Sequence, residues 1–217
     1  MPSDLQVSNI KDLTGSNTGL SIASDGQVTI AQNNPSITLG SNTSFPSGHI
    51  VQCQFRGFDS DQVIGNGSST GKTFTNIGSG VSGEEFSIDM SVSSGNKIVG
   101  FGNVNITANS RYTALKVFMD STQIANGTID SSLTNQTSVT VASLIDTTVS
   151  TWTYVLFNSS FSFNYTPSDT SSHTYSVKAG NTNDNGVYTL INRPWENANS
   201  DYVHRGYSSF ILMEVQQ

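Results

Sequence analysis

No stretch of this chain holds an apolar period of 3.6 residues over three turns, so nowhere can a long helix bury one face. Apolar residues come instead in strand-sized bursts separated by turn formers. From His49 onward the expected strands are Ile50–Phe58, Thr73–Ile77, Phe86–Val92, Lys97–Ile106, Tyr112–Asp120, Thr151–Phe163, His173–Ala179, Val187–Asn192 and Ser208–Val215. Gly65-Asn66-Gly67, Ser94-Gly95-Asn96, Pro167-Ser168-Asp169 and Asn185-Gly186 break them apart. The one ambiguous piece is 139–149, where Val141, Leu144 and Ile145 are spaced for a helical turn. An immunoglobulin-like sandwich closes within ~100 residues. Eight or so strands over ~170 residues fit an all-β, antiparallel two-sheet jelly-roll sandwich better.

Composition narrows the functions. Charged residues are 12% of the 217, about half the ~25% usual in soluble domains. Ser, Thr, Asn and Gly replace them, and these favour turns and strands over helix. The net charge of −7, with nine Lys plus Arg, cannot neutralise many phosphates, so no nucleic-acid partner is expected. No run approaches the ~20 apolar residues that cross a bilayer, and the first residues have no signal-peptide pattern. A single cysteine, Cys53, excludes an intrachain disulfide. It alternates with Val51 and Phe55, which predicts a small core hydrophobe.

Residues 1–48 read as an appendage and 49–217 as the main domain. Leu20 and Ile22 alternate on one arm of a hairpin and Val28 and Ile30 on the other, with Asp25-Gly26 at its turn. A second short run, Ser36–Leu39, follows, and Phe45-Pro46-Ser47-Gly48 is the expected joint. So few apolar residues cannot close a core, which suits a docking element that adds strands to a partner.

Several segments in this order form a familiar layout. Val7-Ser-Asn-Ile-Lys11 opens it, and Pro46 to Gln52 leads into the domain. Ser93–Val99, Phe163–Tyr175, the Asn192-Arg193 pair and Ser209–Val215 follow. Over nearly its whole length the chain resembles small structural and fibre-type virion proteins of marine, especially cyanobacterial, tailed phages. The resemblance implies a tumour necrosis factor-like jelly roll, a homotrimer and a place in the virion, reached from the host cytoplasm where the chain is made. Other virion proteins would be met through residues 1–48. It assigns no receptor-binding residues.

Catalytic and cofactor motifs fail on spacing. Gly65–Thr73 suggests a P-loop, but the glycine required five residues before Gly71 is Asn66. His49, His173 and His204 form no metal-binding pair along the chain. Glu84-Glu85 would point to opposite faces of a strand, unlike the facing carboxylates of a glycosidase. Asn181-Thr-Asn-Asp-Asn-Gly186 matches the first half of a calcium loop, yet its twelfth position is Asn192, so a hairpin turn is the preferred reading. The expectation is therefore no enzyme, no cofactor and no metal.

One long loop concentrates aromatic and cationic groups: Arg193, Trp195, Tyr202, His204, Arg205 and Tyr207. Rings stack on sugar faces and guanidinium forks bind carboxylates, so this is the candidate contact with a host cell-surface glycan or protein. The structural alternative pairs Arg193 and Arg205 with Glu196 and Asp201 and packs the rings, and the layout favours it. The expected function is a trimeric tail fibre or spike component acting in assembly and host attachment. A capsid decoration protein is the alternative, and a carbohydrate-active enzyme a more distant one.

Overall fold

A computed structural model describes residues 9–11, 18–22, 28–29, 46–65, 74–80, 83, 85–108, 112–127, 138–144, 156–181, 188–194 and 204–217. The chain forms two compact units, Met1–Ser44 and Phe45–Gln217. In the first, β1 (Asn9–Lys11), β2 (Thr18–Ile22) and β3 (Val28–Thr29) make a three-stranded antiparallel sheet in the order β1-β2-β3. The expected hairpin is there, with Ile22 opposite Val28. The run Ser36–Leu39 lies outside the described residues. Residues 46–48, placed with the appendage on sequence, belong to the larger unit: the Gly48 amide donates to the Gln216 carbonyl at 2.7 Å, and the Gln216 amide to His49 at 2.9 Å.

The larger unit holds β4 (Ile50–Phe58), β5 (Gln62–Ile64), β6 (Phe74–Asn76), β7 (Ser87–Ser91), β8 (Lys97–Ala108) and β9 (Tyr112–Met119). It continues with β10 (Thr122–Gln123), β11 (Val141–Leu144), β12 (Phe157–Tyr165), β13 (Ser172–Asn181), β14 (Thr189–Ile191) and β15 (Ser208–Val215). Among the described residues there is no helix, and 141–144, ambiguous on sequence, is strand. Pairing with Tyr112–Leu115 on β9 settles it, because a ladder satisfies backbone groups that an isolated helical turn leaves open.

These strands form two antiparallel sheets, each four lanes wide. Ile106 of β8 pairs with Phe157 of β12 on one side and Ile191 of β14 on the other, while Gly100 pairs with Phe163 and Leu212. Hence β14 and β15 share one lane, β4 and β5 the next, and the order is β12, β8, β15/β14, β4/β5. The same reasoning orders the second sheet as β7/β6, β13, β9, β10/β11. The protein is thus an all-β sandwich of two antiparallel sheets.

Inward residues from both sheets form one buried cluster, including Ile98, Val104, Ile106, Leu115, Val117, Tyr175 and Val177. Phe210 sits among rings: Phe86 and Phe161 have centroids 6.0 Å away and Phe163 6.4 Å, tilted as aromatic quadrupoles prefer. Two glycines make this packing possible. Phe161 lies opposite Gly102 and Phe163 opposite Gly100, and each ring lies over its partner's Cα. A Cβ at Gly102 would come within 2.3 Å of the Phe161 ring. Gly102→Ala is therefore expected to cost about 1–3 kcal/mol by overpacking. Denaturant unfolding measures it, with Gly127→Ala, where an added Cβ meets nothing, as the neutral control.

Candidate interaction surface

Strand β4 is built inside out. Its outward side chains are Val51, Cys53 and Phe55, and its inward ones are Gln52, Gln54, Arg56 and finally Phe58. This corrects the sequence expectation for Cys53, which is exposed. Alternation placed Val51, Cys53 and Phe55 together correctly, but which face meets the core depends on the opposite sheet. There the β4 lane overhangs the margin of β7, where unpaired backbone carbonyls need donors. Gln52 Nε2 donates to the Ser91 carbonyl at 2.7 Å and Arg56 Nε to that of Glu85 at 2.8 Å. Arg56 also donates to the Gly83 carbonyl. The polar side chains point inward because they cap an edge.

Next to β4, Ser208, Phe210, Leu212 and Glu214 of β15 point inward and Ser209, Ile211, Met213 and Val215 outward. Buried Glu214 is held ionised among neutral donors: Gln52 Nε2 at 2.6 Å, Asn96 Nδ2 at 2.7 Å and the Ser93 amide at 2.8 Å. Burial pushes its carboxyl pKa up, yet these bonds outweigh that and leave it lowered.

Cross-strand register assembles the outward residues into rows. Phe55, Ile211 and Phe101 form one, and Cys53, Met213 and Val99 the next. Phe55 is 59% exposed and Phe101 44%, large values for rings on a folded β surface. Beyond them lies an amide and hydroxyl strip. Ser209 Oγ donates to Asn103, Ser160 Oγ to Asn158 at 2.8 Å, and Asn105 Nδ2 to the Tyr207 carbonyl at 2.7 Å. The outward side chains of β4, β15, β8 and β12 include no Asp or Glu, although the chain carries 16 acidic residues. The rim charge is Lys97.

The six loop residues fare differently. Trp195 and Tyr202 lie outside the described residues, as do Glu196 and Asp201. Arg193 and Arg205 converge instead on Asp61 Oδ2, at 3.3 and 3.0 Å. Burial pushes the Asp61 carboxyl up, but Arg205 and then Arg193 hold it below the usual carboxylate range. These arginines thus tie the start of β5 to both ends of the loop, a pinning role with a partner the sequence did not suggest. His204 is exposed, and Tyr207, 52% exposed, lies across Gly57, where a Cβ would meet its hydroxyl. The anchor is Asn192, fully buried at φ 58°. Its Nδ2 donates to the carbonyls of Phe58 at 2.7 Å and Ser60 at 3.0 Å, and its Oδ1 accepts from Ser208 Oγ at 2.7 Å.

The calcium-like run 182–186 and most of the P-loop-like stretch lie outside the described residues. Among the described residues, no group of three or more His, Cys, Asp or Glu side chains is placed to hold a metal, and no helix is long and apolar enough to cross a membrane. Neither a family model nor a curated protein matches this chain.

Proposed function

We propose that this protein is a structural assembly component that closes into a homotrimer through the outer face of β4, β15 and β8, and that it serves in a phage virion as a tail fibre or spike part. The inside-out β4 carries the reading. Its apolar side chains face solvent in the single chain, beside Ile211, Met213 and Phe101, so burial has to come from outside. A further copy is the occupant that fits. Two molecules of net charge −7 repel, and this face is one on which no carboxylate meets its counterpart. Closed symmetry then covers the face on every subunit and leaves no open end.

The lane order supports the jelly roll. In chain order the eight lanes begin at β4, β6, β8, β9, β10, β12, β13 and β14. One sheet takes lanes 1, 8, 3 and 6 and the other 2, 7, 4 and 5, the interleaving that two Greek keys produce. The virion assignment rests on the sequence layout. Light scattering of the intact protein tests the trimer, and a monomer at micromolar concentration overturns it. Imaging of virions labelled with an antibody to this chain tests the place: label on the tail supports the fibre reading, and label over the head replaces it with decoration.

Residues 1–44 form a separate unit and are proposed to dock to other virion proteins. Deleting them is expected to abolish incorporation into virions while the remaining unit keeps its melting temperature within a few degrees. An early-melting truncation would show that the appendage contributes to the main fold.

A further inference from the structure

His173, at the start of β13, sits between two carboxylates brought from different places. Its Nδ1 is 2.7 Å from Asp120 Oδ2, at the turn after β9, and its Nε2 is 3.1 Å from Asp169 Oδ1, in the β12–β13 connection. The residue is 9% exposed. An ionised carboxylate only accepts hydrogen bonds, so both ring nitrogens must carry protons for both contacts to form. Each carboxylate is also oriented by the backbone. Asp120 Oδ1 accepts from the Thr174 amide at 2.9 Å, and Asp169 Oδ1 accepts from the Ser171 amide at 2.8 Å. Asp120 is held at φ 53°, a left-handed conformation that a non-glycine residue adopts at a cost.

We propose that the imidazolium of His173 is a pH-operated latch that fastens the β12–β13 connection, through Asp169, to the turn at Asp120. Loss of one proton leaves a neutral ring with a single N–H, which can serve only one carboxylate. The ring keeps Asp120, the nearer partner, and presents a lone pair to Asp169, so the connection is released on the Asp169 side.

The surrounding groups agree in sign. The Asp120 hydrogen bond raises the His173 pKa, burial opposes it, and Asp169 raises it further. Asp120 is lowered by His173 and then by the Thr174 amide, and Asp169 by Ser171 and then by His173. Of the other groups nearby, Asp89 on β7 accepts from Thr174 Oγ1 at 2.6 Å, on the exposed side of β13 opposite to the buried His173. The Tyr175 phenol, pushed up to about 12 by burial and then by Tyr165, stays neutral. A raised histidine pKa gives stabilisation that is complete below the unfolded value and lost as pH rises through the folded one. Depressed carboxylate values give stabilisation lost only as pH falls through them. The latch is therefore closed from mildly acidic pH up to the raised histidine midpoint, and opens above it.

Nitrogen-15 NMR of the full chain, which has three histidines, tests this together with amide exchange at Ser171. The expected results are two protonated ring nitrogens at pH 6 and a midpoint above the ordinary value of about 6.5. The Ser171 protection factor, corrected for intrinsic rate, should fall on the order of tenfold across the same midpoint. Asp169→Asn, a change at a half-exposed side chain, should lower the midpoint and remove the step in Ser171 protection; His173→Gln should make that protection pH-independent. A midpoint at or below about 6.5, a neutral ring at pH 6, or Ser171 protection that stays flat in the parent protein would each overturn the latch.

Discussion

Replacing Asn192 with alanine is expected to destabilise the larger unit by on the order of 3–5 kcal/mol, the largest effect of any single polar substitution proposed for it. Three lost hydrogen bonds combine with a backbone cost. The Phe58 carbonyl, at a buried site, loses the Nδ2 donor at 2.7 Å, and the Ser60 carbonyl loses the one at 3.0 Å. Ser208 Oγ, also buried, loses its Oδ1 acceptor at 2.7 Å. Alanine must in addition hold the φ of 58°, which asparagine tolerates far better. Asn192→Gly separates these terms, since glycine accepts the backbone but restores none of the bonds. Glycine should recover about 1 kcal/mol relative to alanine, the conformational part. Urea unfolding of the two variants measures the difference. Equal stability of parent and alanine variant would show that the Asn192 hub does not hold β14, β15 and the end of β4 together.

The double variant Phe55→Asp and Phe101→Asp is expected to convert the proposed trimer to monomer while leaving the fold of the single chain intact. Both rings sit on the outward face and are largely exposed within one chain, so their loss removes little intrachain packing. At a closed interface each ring would contribute about 1.5–3 kcal/mol of burial, and each new carboxylate would meet its copies on a face that now has none. A weakening of association by at least ~1,000-fold, about 4 kcal/mol, follows. Sedimentation over a concentration series reads it, and unfolding of the same samples checks the fold. If the variant still forms trimers, the subunits meet elsewhere and this face needs another occupant.

Period and punctuation made most of the strands legible. Ile50–Phe58 and Ser208–Val215 have the expected bounds, and most others differ by one to three residues at their ends. Of the expected Thr151–Phe163, 151–155 lie outside the described residues and the described strand runs Phe157–Tyr165. The short strands β5, β10 and β11 were not foreseen, because two to four residues carry too little periodicity and are strand only through their partners. The His173 clamp was half visible, since Asp169 and His173 are four apart in sequence. Asp120 comes from another turn, and no local spacing points to it. The Arg193 and Arg205 loop was recognised as a cluster, but its carboxylate was sought within the loop and is Asp61 at the start of β5.

Local chemistry alone determined that this chain makes strands and turns, that it needs no disulfide, and that Val51, Cys53 and Phe55 share one side of a strand. Alternation is a property of the backbone and survives any packing. It cannot say which side faces the core. In β4 the tertiary structure decided that, by placing the strand over an open edge whose carbonyls required Gln52 and Arg56, and so turning the apolar side outward toward whatever covers it.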